Sequence, residues 1–279
     1  MYTSRRGFIK TSSLLALSAY LAPYAATAAK VKNVGIQLYT VRKEMLADAR
    51  GTLEALAKLG YKELESARSA KGHYYGLTAK EIKQVTKDLG LKLVSGHVHV
   101  DQNWQKTVDE AAESGQQYLI CSSMPTEGQT IDNYKKVADV FNQSAEACKK
   151  VNLTFGYHNH EYEFDKVDGQ VLYEVLLKET DPKLVQMELD LGWVLATGNN
   201  PVTYFEKYPG RFPLWHLKDM KKGEPVSTEF GTGRIDIAQI FKNAGESGMK
   251  HFFVEQEEYA GEPMASVKHN IEYLKKLDY

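Results

Sequence analysis

The sequence predicts an α/β fold, a (β/α)8 TIM barrel, and three observations lead to that prediction. Eight short apolar runs of strand length recur along the chain at intervals of about 30 residues, the size of one strand–helix unit. Segments with helical periodicity lie between them. A residue that tolerates left-handed backbone stands between helix and strand five times, at Gly60, Gly90, Gly115, Asn152 and Gly248. One repeated unit, used eight times in about 250 residues, fits this barrel.

The eight predicted strands are read directly from the apolar runs. They begin near Val34, Tyr61, Leu91, Gln117, Leu153, Leu184, Phe212 and His251. The second run alternates apolar and polar residues, where a buried parallel strand is usually more apolar, and we place it by its spacing. A doubly wound sheet is the alternative, but no Gly-rich phosphate turn follows the first strand.

The helical segments occupy the intervals between these strands. Apolar residues recur there at three- and four-residue steps over Thr52–Leu59, Ala79–Leu89, Lys106–Ser114, Ile131–Val151, Gln170–Glu179 and Ile235–Ser247. No linker or low-complexity stretch interrupts the alternation after Lys30. We therefore predict a single barrel domain over residues 29–279.

The composition is that of an ordinary globular protein. Of 279 residues, 43% are hydrophobic and 25% charged, which excludes collagen, coiled coil, disordered and polytopic membrane proteins. The net charge is −1, without the basic excess typical of proteins that bind nucleic acid. The two cysteines, Cys121 and Cys148, are too few for a disulfide scaffold, and either one disulfide or two free thiols is compatible with them.

Residues 1–28 have the pattern of a signal peptide. Arg5 and Arg6 are followed by Gly, Phe, Ile and Lys, then by an uncharged apolar stretch and a run of small residues. The paired arginines resemble a twin-arginine (Tat) signal. Cleavage after Ala28 would change the net charge to −4 and leave a periplasmic protein. An N-terminal membrane anchor is the alternative, disfavoured by the short stretch and its Ser, Thr and Pro residues.

Polar residues gather at the ends of the predicted strands, although the strand interiors are apolar. These strand ends comprise Gln37 and Tyr39, Glu65, His97 and His99, Ser122 and Ser123, His158, Asn159 and His160, Glu188 and Asp190, His216 and Lys218, and Glu255 and Glu257. In this fold the carboxyl ends of the strands carry the active site. Side chains two residues apart share a face, so His158/His160, Glu188/Asp190, His216/Lys218 and Glu255/Glu257 each form a same-face pair. Carboxylates and imidazoles meeting at one barrel mouth suit a divalent cation such as Mn²⁺, Mg²⁺, Co²⁺ or Zn²⁺. Glu257, followed by Glu258, is nevertheless expected to lie in a solvated loop.

Five segments resemble the sugar isomerase/epimerase superfamily with a xylose-isomerase-like barrel. They begin at Phe155 (FGYHNHEYEF), Glu188 (ELDLGW), Trp215 (WHLKD), Gly231 (GTGRID) and Phe253 (FVEQE). The resemblance spans the chain after the predicted signal. It implies one divalent metal held by Glu, Asp, His and Glu from four successive strands.

Carried onto this sequence, the resemblance places those ligands on Glu163, Asp190, His216 and Glu255. Glu161 is the alternative for the first. It also implies that Glu163 and Glu255 act as the carboxylates that remove and return a proton. Ketose 3-epimerases of the family carry a His three residues after the Asp, where this chain has Trp193. The Trp at this position indicates that the substrate is bound in a different way from that of the ketose 3-epimerases.

Five further residues are predicted to contact substrate. They are His97, His158, Trp193, Lys218 and Arg234. The Gly231–Arg234 segment is compatible either with a backbone cradle for a phosphate or with a tight turn before the next helix.

The expected function is that of a metal-dependent isomerase or epimerase acting through an enediolate on a non-phosphorylated sugar or keto-sugar. Three alternatives stay open: a 3-oxo-glycoside lyase using the same site, an exported sugar-binding protein without catalysis, and an endonuclease, which the charge disfavours. We expect a small sugar as partner, no nucleic acid, and no membrane after signal cleavage. Association into a homo-oligomer is left open.

Overall fold

Eight parallel strands form a closed barrel in the part of the chain that the structure describes. The computed structural model describes residues 30–279, so the predicted signal segment lies outside the described residues. Each strand pairs with the next along the chain, and the last pairs with the first. In chain order the strands are β1 Gly35–Gln37, β2 Glu63–Ser66, β3 Lys92–Val98, β4 Tyr118–Cys121, β5 Thr154–His158, β6 Val185–Asp190, β7 Leu214–Leu217 and β8 His251–Val254. The predicted barrel is confirmed.

Helices surround the barrel between the strands. They are α1 Arg42–Ala47, α2 Ala49–Leu59, α3 Ala79–Asp88, α4 Trp104–Ser114, α5 Ile131–Lys150, α6 Leu172–Glu179, α7 Leu191–Ala196, α8 Pro201–Lys207, α9 Ile237–Lys242, α10 Ala244–Ser247 and α11 Pro263–Lys276. Within residues 30–279, no helix combines the length and apolar character needed to cross a membrane.

Two helical predictions differ from the structure. The helix expected from Gln170 begins at Leu172, because Gln170–Val171 forms a small antiparallel ladder with Lys166–Val167. The helix expected over Ile235–Ser247 is two helices, since it breaks at Asn243. The ladder lies in the loop that connects β5 to α6, and the break lies between two helices of the outer layer.

The predicted left-handed residue between helix and strand is confirmed at all five positions. All five residues have left-handed backbone, with φ of 104° at Gly60, 65° at Gly90, 81° at Gly115, 60° at Asn152 and 78° at Gly248. The chain can thus leave each helix and enter the next strand within a few residues.

The apolar core lies in two places. The larger cluster fills the space between the strands and the helices. The smaller one comprises Val94, Tyr118, Ile120, Leu214 and Phe253, which fill the barrel itself. Glycine is required beside it, because a Cβ at Gly35 would lie 2.7 Å from the Phe253 ring and one at Gly156 would lie 2.6 Å from Ile120 Cδ1. The barrel is therefore packed below its mouth.

A shift of register brings His97 to the inner face of β3. Leu64 pairs with Leu93, but the next residue of β2, Glu65, pairs with Ser95. An extra residue in one strand changes which side chains face inward beyond it. His97 lies two residues after Ser95 and so shares the inner face with Glu65.

Both cysteines are free thiols in buried positions. Burial raises the pKa of the Cys121 thiol to about 11 and that of Cys148 to about 12. Both thiols are therefore protonated at neutral pH and packed as small apolar groups.

Candidate metal centre

Buried charged side chains occupy the carboxyl end of the barrel. They project from the ends of six strands and of the segments that follow them. The set comprises Glu65, His97, His158, Glu188, Asp190, His216, Lys218 and Glu255, each at most 9% exposed. Such groups are costly to bury unless they are paired or bind a metal.

Four of these side chains form an outer group facing the mouth. His158, Asp190, His216 and Glu255 each offer one ligand atom, and these atoms all lie within 4.8 Å of one another. His216 Nδ1 is 2.8 Å from Glu255 Oε2 and 3.9 Å from Asp190 Oδ2, and His158 Nε2 is 3.9 Å from that same Asp190 oxygen. Asp190 also caps α7, because its Oδ1 accepts from the Trp193 backbone N–H at 2.9 Å.

A second cluster, called here the inner group, shares His158 and His216 with the outer group. His97, His158, Glu188 and His216 also offer ligand atoms within 4.8 Å of one another. Glu65 joins them, since its Oε1 lies 2.6 Å from His216 Nε2 and 3.2 Å from His97 Nε2. Gln37 Nε2 donates to that oxygen at 2.7 Å. His158 and His216 thus stand between the two groups and have one ring nitrogen on each side.

Lys218 introduces a positive charge among three carboxylates. Its Nζ lies 3.0 Å from Asp190 Oδ2, 2.9 Å from Glu255 Oε2 and 2.5 Å from Glu257 Oε1. It also lies 5.0 Å from the centre of the Trp193 ring, within cation–π range. Glu257, expected in a solvated loop, is instead held at the mouth by this lysine. These three carboxylates carry more negative charge than the single lysine neutralises, and a divalent cation would balance the excess.

The carboxyl groups differ in their affinity for protons. Burial alone would raise the pKa of Glu255, but Lys218 and His216 hold it well below its ordinary value. Burial raises the pKa of Asp190 and of Glu257 despite the nearby lysine. Burial and the negative charge of Glu65 raise the pKa of Glu188 to about 7.

The imidazole rings also differ in their pKa values. Burial and the neighbouring histidines hold the pKa of His158 well below its usual range, so this ring is neutral and able to bind a metal. Burial would lower the pKa of His216 as well, but Glu188 and Glu255 raise it well above its ordinary value. A cation in the outer group would replace that ring proton, because metal and proton compete for the same nitrogen.

The structure does not bring Glu163 to either group, and this corrects its predicted place among the ligands. Its carboxylate accepts a hydrogen bond from the Tyr157 hydroxyl and another from the His160 backbone N–H, the latter at 2.8 Å. Tyr157 alternates with the inward-facing His158 and packs its ring on Phe141 of α5, in the layer between strands and helices. Glu161, the alternative, is exposed. At the end of β5 the inward residue is His158, which takes the position expected of that glutamate.

The predicted substrate contacts divide into two sets. His97, His158 and Trp193 line a cavity of about 240 Å³ at the mouth, together with Glu255 and Glu257. Lys218 does not line this cavity, but it contacts Glu257, which does. Tyr39, His99 and His160 line it too, and the sequence places all three among the polar strand ends without assigning them a contact. Arg68 also lines the cavity and was not predicted, because it carries no comparable signal in the sequence.

Arg234 lies outside the cavity, contrary to its predicted role. It is exposed, and its guanidinium donates to the Leu195 carbonyl at 3.0 Å. The segment that begins at Gly231 is no phosphate cradle either. The Asp219 carboxylate already accepts from the backbone N–H groups of Gly231, Gly233, Arg234 and Ile235 at 2.9–3.1 Å. Its tight turn is therefore structural.

The donor set at the mouth fits a divalent metal ion. Two imidazoles and two carboxylates are ligands used by Zn²⁺, Mn²⁺ and related ions. Asp190 Oδ2 is fully buried and makes no hydrogen bond of regular geometry within the described residues, although it forms an ion pair with Lys218 Nζ at 3.0 Å. The outer group could hold such an ion beside the cavity, and all four of its side chains are buried.

The model of the xylose isomerase-like TIM barrel family matches residues 53–277. The chain belongs to this family. A sugar phosphate isomerase/epimerase structure from Parabacteroides distasonis is 31% identical and covers 90% of this chain and 95% of that one, with a TM-score of 0.78.

Two further comparisons show likenesses to known proteins. Inosose dehydratase of Clostridium beijerinckii is 26% identical over 144 residues, which are 46% of this chain and 48% of that protein. The chain thus spans about half the length of the curated relatives it matches. A structure of IolI with a bound zinc atom is 13% identical, covers 86% of this chain and 96% of that one, and has a TM-score of 0.71, which shows the shared fold. The inosose dehydratase and the Parabacteroides structure are both named as sugar-modifying enzymes.

Proposed function

We propose that this protein is a divalent-metal-dependent isomerase or epimerase of a non-phosphorylated sugar or keto-sugar. The observation that carries the proposal is the buried outer group, His158, Asp190, His216 and Glu255, beside a cavity of sugar size. Family membership supports a sugar as the substrate class. A bound divalent cation would polarise a carbonyl and favour the enediolate form of the substrate.

The protein's own residues supply the proton transfer. Glu255 and Glu257 both line the cavity, so both can reach a bound sugar. The low pKa of Glu255 suits it to hold the cation, whereas burial raises the pKa of Glu257 and makes that carboxylate the better base. We assign the removal of the proton beside the carbonyl to Glu257, with Lys218 holding its carboxylate in place. This assignment replaces the expected role of Glu163.

The cavity wall determines how the sugar is held. Trp193 and Tyr39 present aromatic rings, and His97 and His160 present ring nitrogens that can bond to hydroxyls. Burial lowers the pKa of His160 to about 4, so this ring is neutral and can accept as well as donate. Glu255 and Glu257 place two carboxylates on the cavity wall and disfavour a phosphate group beside them, which supports a non-phosphorylated substrate; Arg68 is a cationic side chain on the same wall.

Elimination is the second candidate, and the dehydratase relatives favour it. The same removal of a proton beside a carbonyl can expel a neighbouring oxygen substituent. The enzyme would then be a dehydratase or, on a 3-oxo-glycoside, a lyase. The site residues and their roles are the same in both reactions, so only the products distinguish them.

Solvent deuterium separates these possibilities. Keto-sugars and 3-oxo-glycosides are incubated with the protein and Mn²⁺ in deuterated water, and the products are followed by NMR. Deuterium beside the carbonyl with no loss of a substituent supports the isomerase or epimerase. Loss of water or of the aglycone supports elimination. A protein that binds sugar and exchanges no proton would be the non-catalytic sugar-binding protein, and the proposed function would be wrong.

Export by the twin-arginine pathway is a separate proposal. It is supported by Arg5 and Arg6, the apolar stretch and the small residues before Ala28. Replacing both arginines with lysine should retain the precursor in the cytoplasm, whereas the wild-type mature protein should begin at Ala29 in the periplasm. A cytoplasmic wild-type protein that retains Met1 would contradict the proposal and remove one argument for a non-phosphorylated substrate.

A further inference from the structure

One oxygen of Glu188 faces three imidazole rings. Glu188 Oε2 lies 2.7 Å from His97 Nε2, 3.2 Å from His216 Nε2 and 3.3 Å from His158 Nδ1. The side chain is fully buried, and its other oxygen has no hydrogen-bond partner within the described residues. The proton transfer proposed above gives Glu188 no role.

The remaining ring nitrogens of His158 and His216 point the other way. His158 Nε2 and His216 Nδ1 each lie 3.9 Å from Asp190 Oδ2 in the outer group. A neutral imidazole has one N–H and one lone pair, so a hydrogen bond to one nitrogen leaves the other to bind a metal. Histidine ligands commonly donate their second nitrogen to a carboxylate in this way.

We propose that Glu188 is a positioning residue that sets the tautomers of both histidine ligands at once. It accepts an N–H from each ring, and the metal is then bound through His216 Nδ1 and His158 Nε2. The inference rests on the proposed metal-dependent function. It also separates the carboxylates by task. Asp190 and Glu255 of the outer group bind the cation together with the two histidines, whereas Glu188 of the inner group fixes the orientation of the two histidine rings.

The surroundings of Glu188 reinforce this assignment. Glu65 Oε1 lies 2.6 Å from His216 Nε2, so a second carboxylate favours a proton on that same nitrogen. His158 has no such second acceptor: its Nδ1 makes no hydrogen bond within the described residues, and Glu188 Oε2 lies 3.3 Å from it. The orientation of His158 therefore depends on Glu188 more than that of His216 does.

The chain contains a matched control at the opposite end of the barrel. Glu63 of β2 is buried and lies 2.7 Å from His251 Nδ1, so it is also a strand glutamate paired with an imidazole. Neither residue belongs to the outer or the inner group. E63Q therefore tests the loss of a buried Glu–His pair without affecting the proposed metal ligands.

The first test measures zinc affinity by competition with a chelator for wild type, E188Q and E63Q. Loss of such an outer partner typically weakens metal binding about 10–100-fold. We expect that loss for E188Q and wild-type affinity for E63Q, with circular dichroism confirming that both are folded. Equal affinity of E188Q and wild type would overturn the proposal, as would an equal loss in both variants.

The second test needs no variant. Nitrogen-15 NMR of histidine-labelled, zinc-loaded wild-type protein identifies which ring nitrogen carries the proton. We expect Nε2–H on His216 and Nδ1–H on His158. Zinc bound with the opposite tautomers would overturn this inference and leave the metal-dependent function intact. A wild-type protein that binds no divalent metal would overturn both.

Discussion

Glu163→Gln should change how stability depends on pH and leave the metal site intact. Glu163 is fully buried, and burial raises its pKa from 4.5 to about 7, even though Tyr157 and the His160 backbone N–H favour its charged form. The folded state therefore holds this proton more tightly than the unfolded state does. Its contribution to stability is present at low pH and is lost as pH rises through about 7.

The size of the effect follows from these two pKa values. Between pH 5.5 and 8.5, the Glu163 contribution to the free energy of unfolding should fall by about 2 kcal/mol. Glutamine has the same shape, keeps an acceptor for the His160 N–H, and cannot ionise. Glu163→Gln should therefore lose that part of the pH dependence and gain stability relative to wild type as pH rises.

Urea unfolding of both proteins at several pH values measures the difference. All other titrating groups are common to both chains, so they cancel when the two pH profiles are subtracted. Parallel profiles would refute the reasoning, because Glu163 would then ionise like an exposed glutamate. A loss of metal binding in Glu163→Gln would also refute it and would restore Glu163 as a ligand.

Two further predictions concern the mouth of the barrel. Glu257→Gln should lower kcat about 10²–10⁴-fold, as expected for loss of a positioned base, with metal content unchanged in elemental analysis; unchanged kcat would remove Glu257 from that role. His216→Ala should lose the metal, because it deletes a ligand of the outer group, while the exposed Arg234→Ala should keep both metal and sugar binding. A full metal equivalent in folded His216→Ala would contradict the assignment.

The fold was predictable from the sequence because its signals are local. Each strand is a short apolar run, and each helix stop depends on the backbone freedom of residues such as Gly60 and Asn152. The break at Asn243 and the small ladder formed by Gln170–Val171 were not predicted. These features depend on contacts between segments that periodicity does not report.

The site was only partly predictable. Asp190, His216 and Glu255 were identified and lie together in the structure. Glu163 was misplaced because the chain turns after His158 into a short 3-10 helix, Tyr162–Phe164, which directs the glutamate toward Tyr157. Two-residue alternation is informative only while the strand continues, and β5 ends at His158.

The inner group shows a second limit of the sequence. Glu65 and Glu188 were recognised as polar strand ends, but nothing in the sequence tells which partner each side chain faces. His97 reaches the inner face through the shift of register after Leu64, a three-dimensional feature of the β2–β3 pair. Distances between strand ends depend on barrel closure, which spacing along the chain does not give.

The central claim is that one divalent cation is held by the outer group at the carboxyl end of the barrel. A crystal structure of the protein grown with Mn²⁺ or Zn²⁺, with anomalous scattering used to locate the ion, tests it most directly. We predict a single ion bonded at about 2 Å to His158, Asp190, His216 and Glu255. An ion bound by Glu163 or by the inner group, or no ion at the barrel mouth, would contradict it.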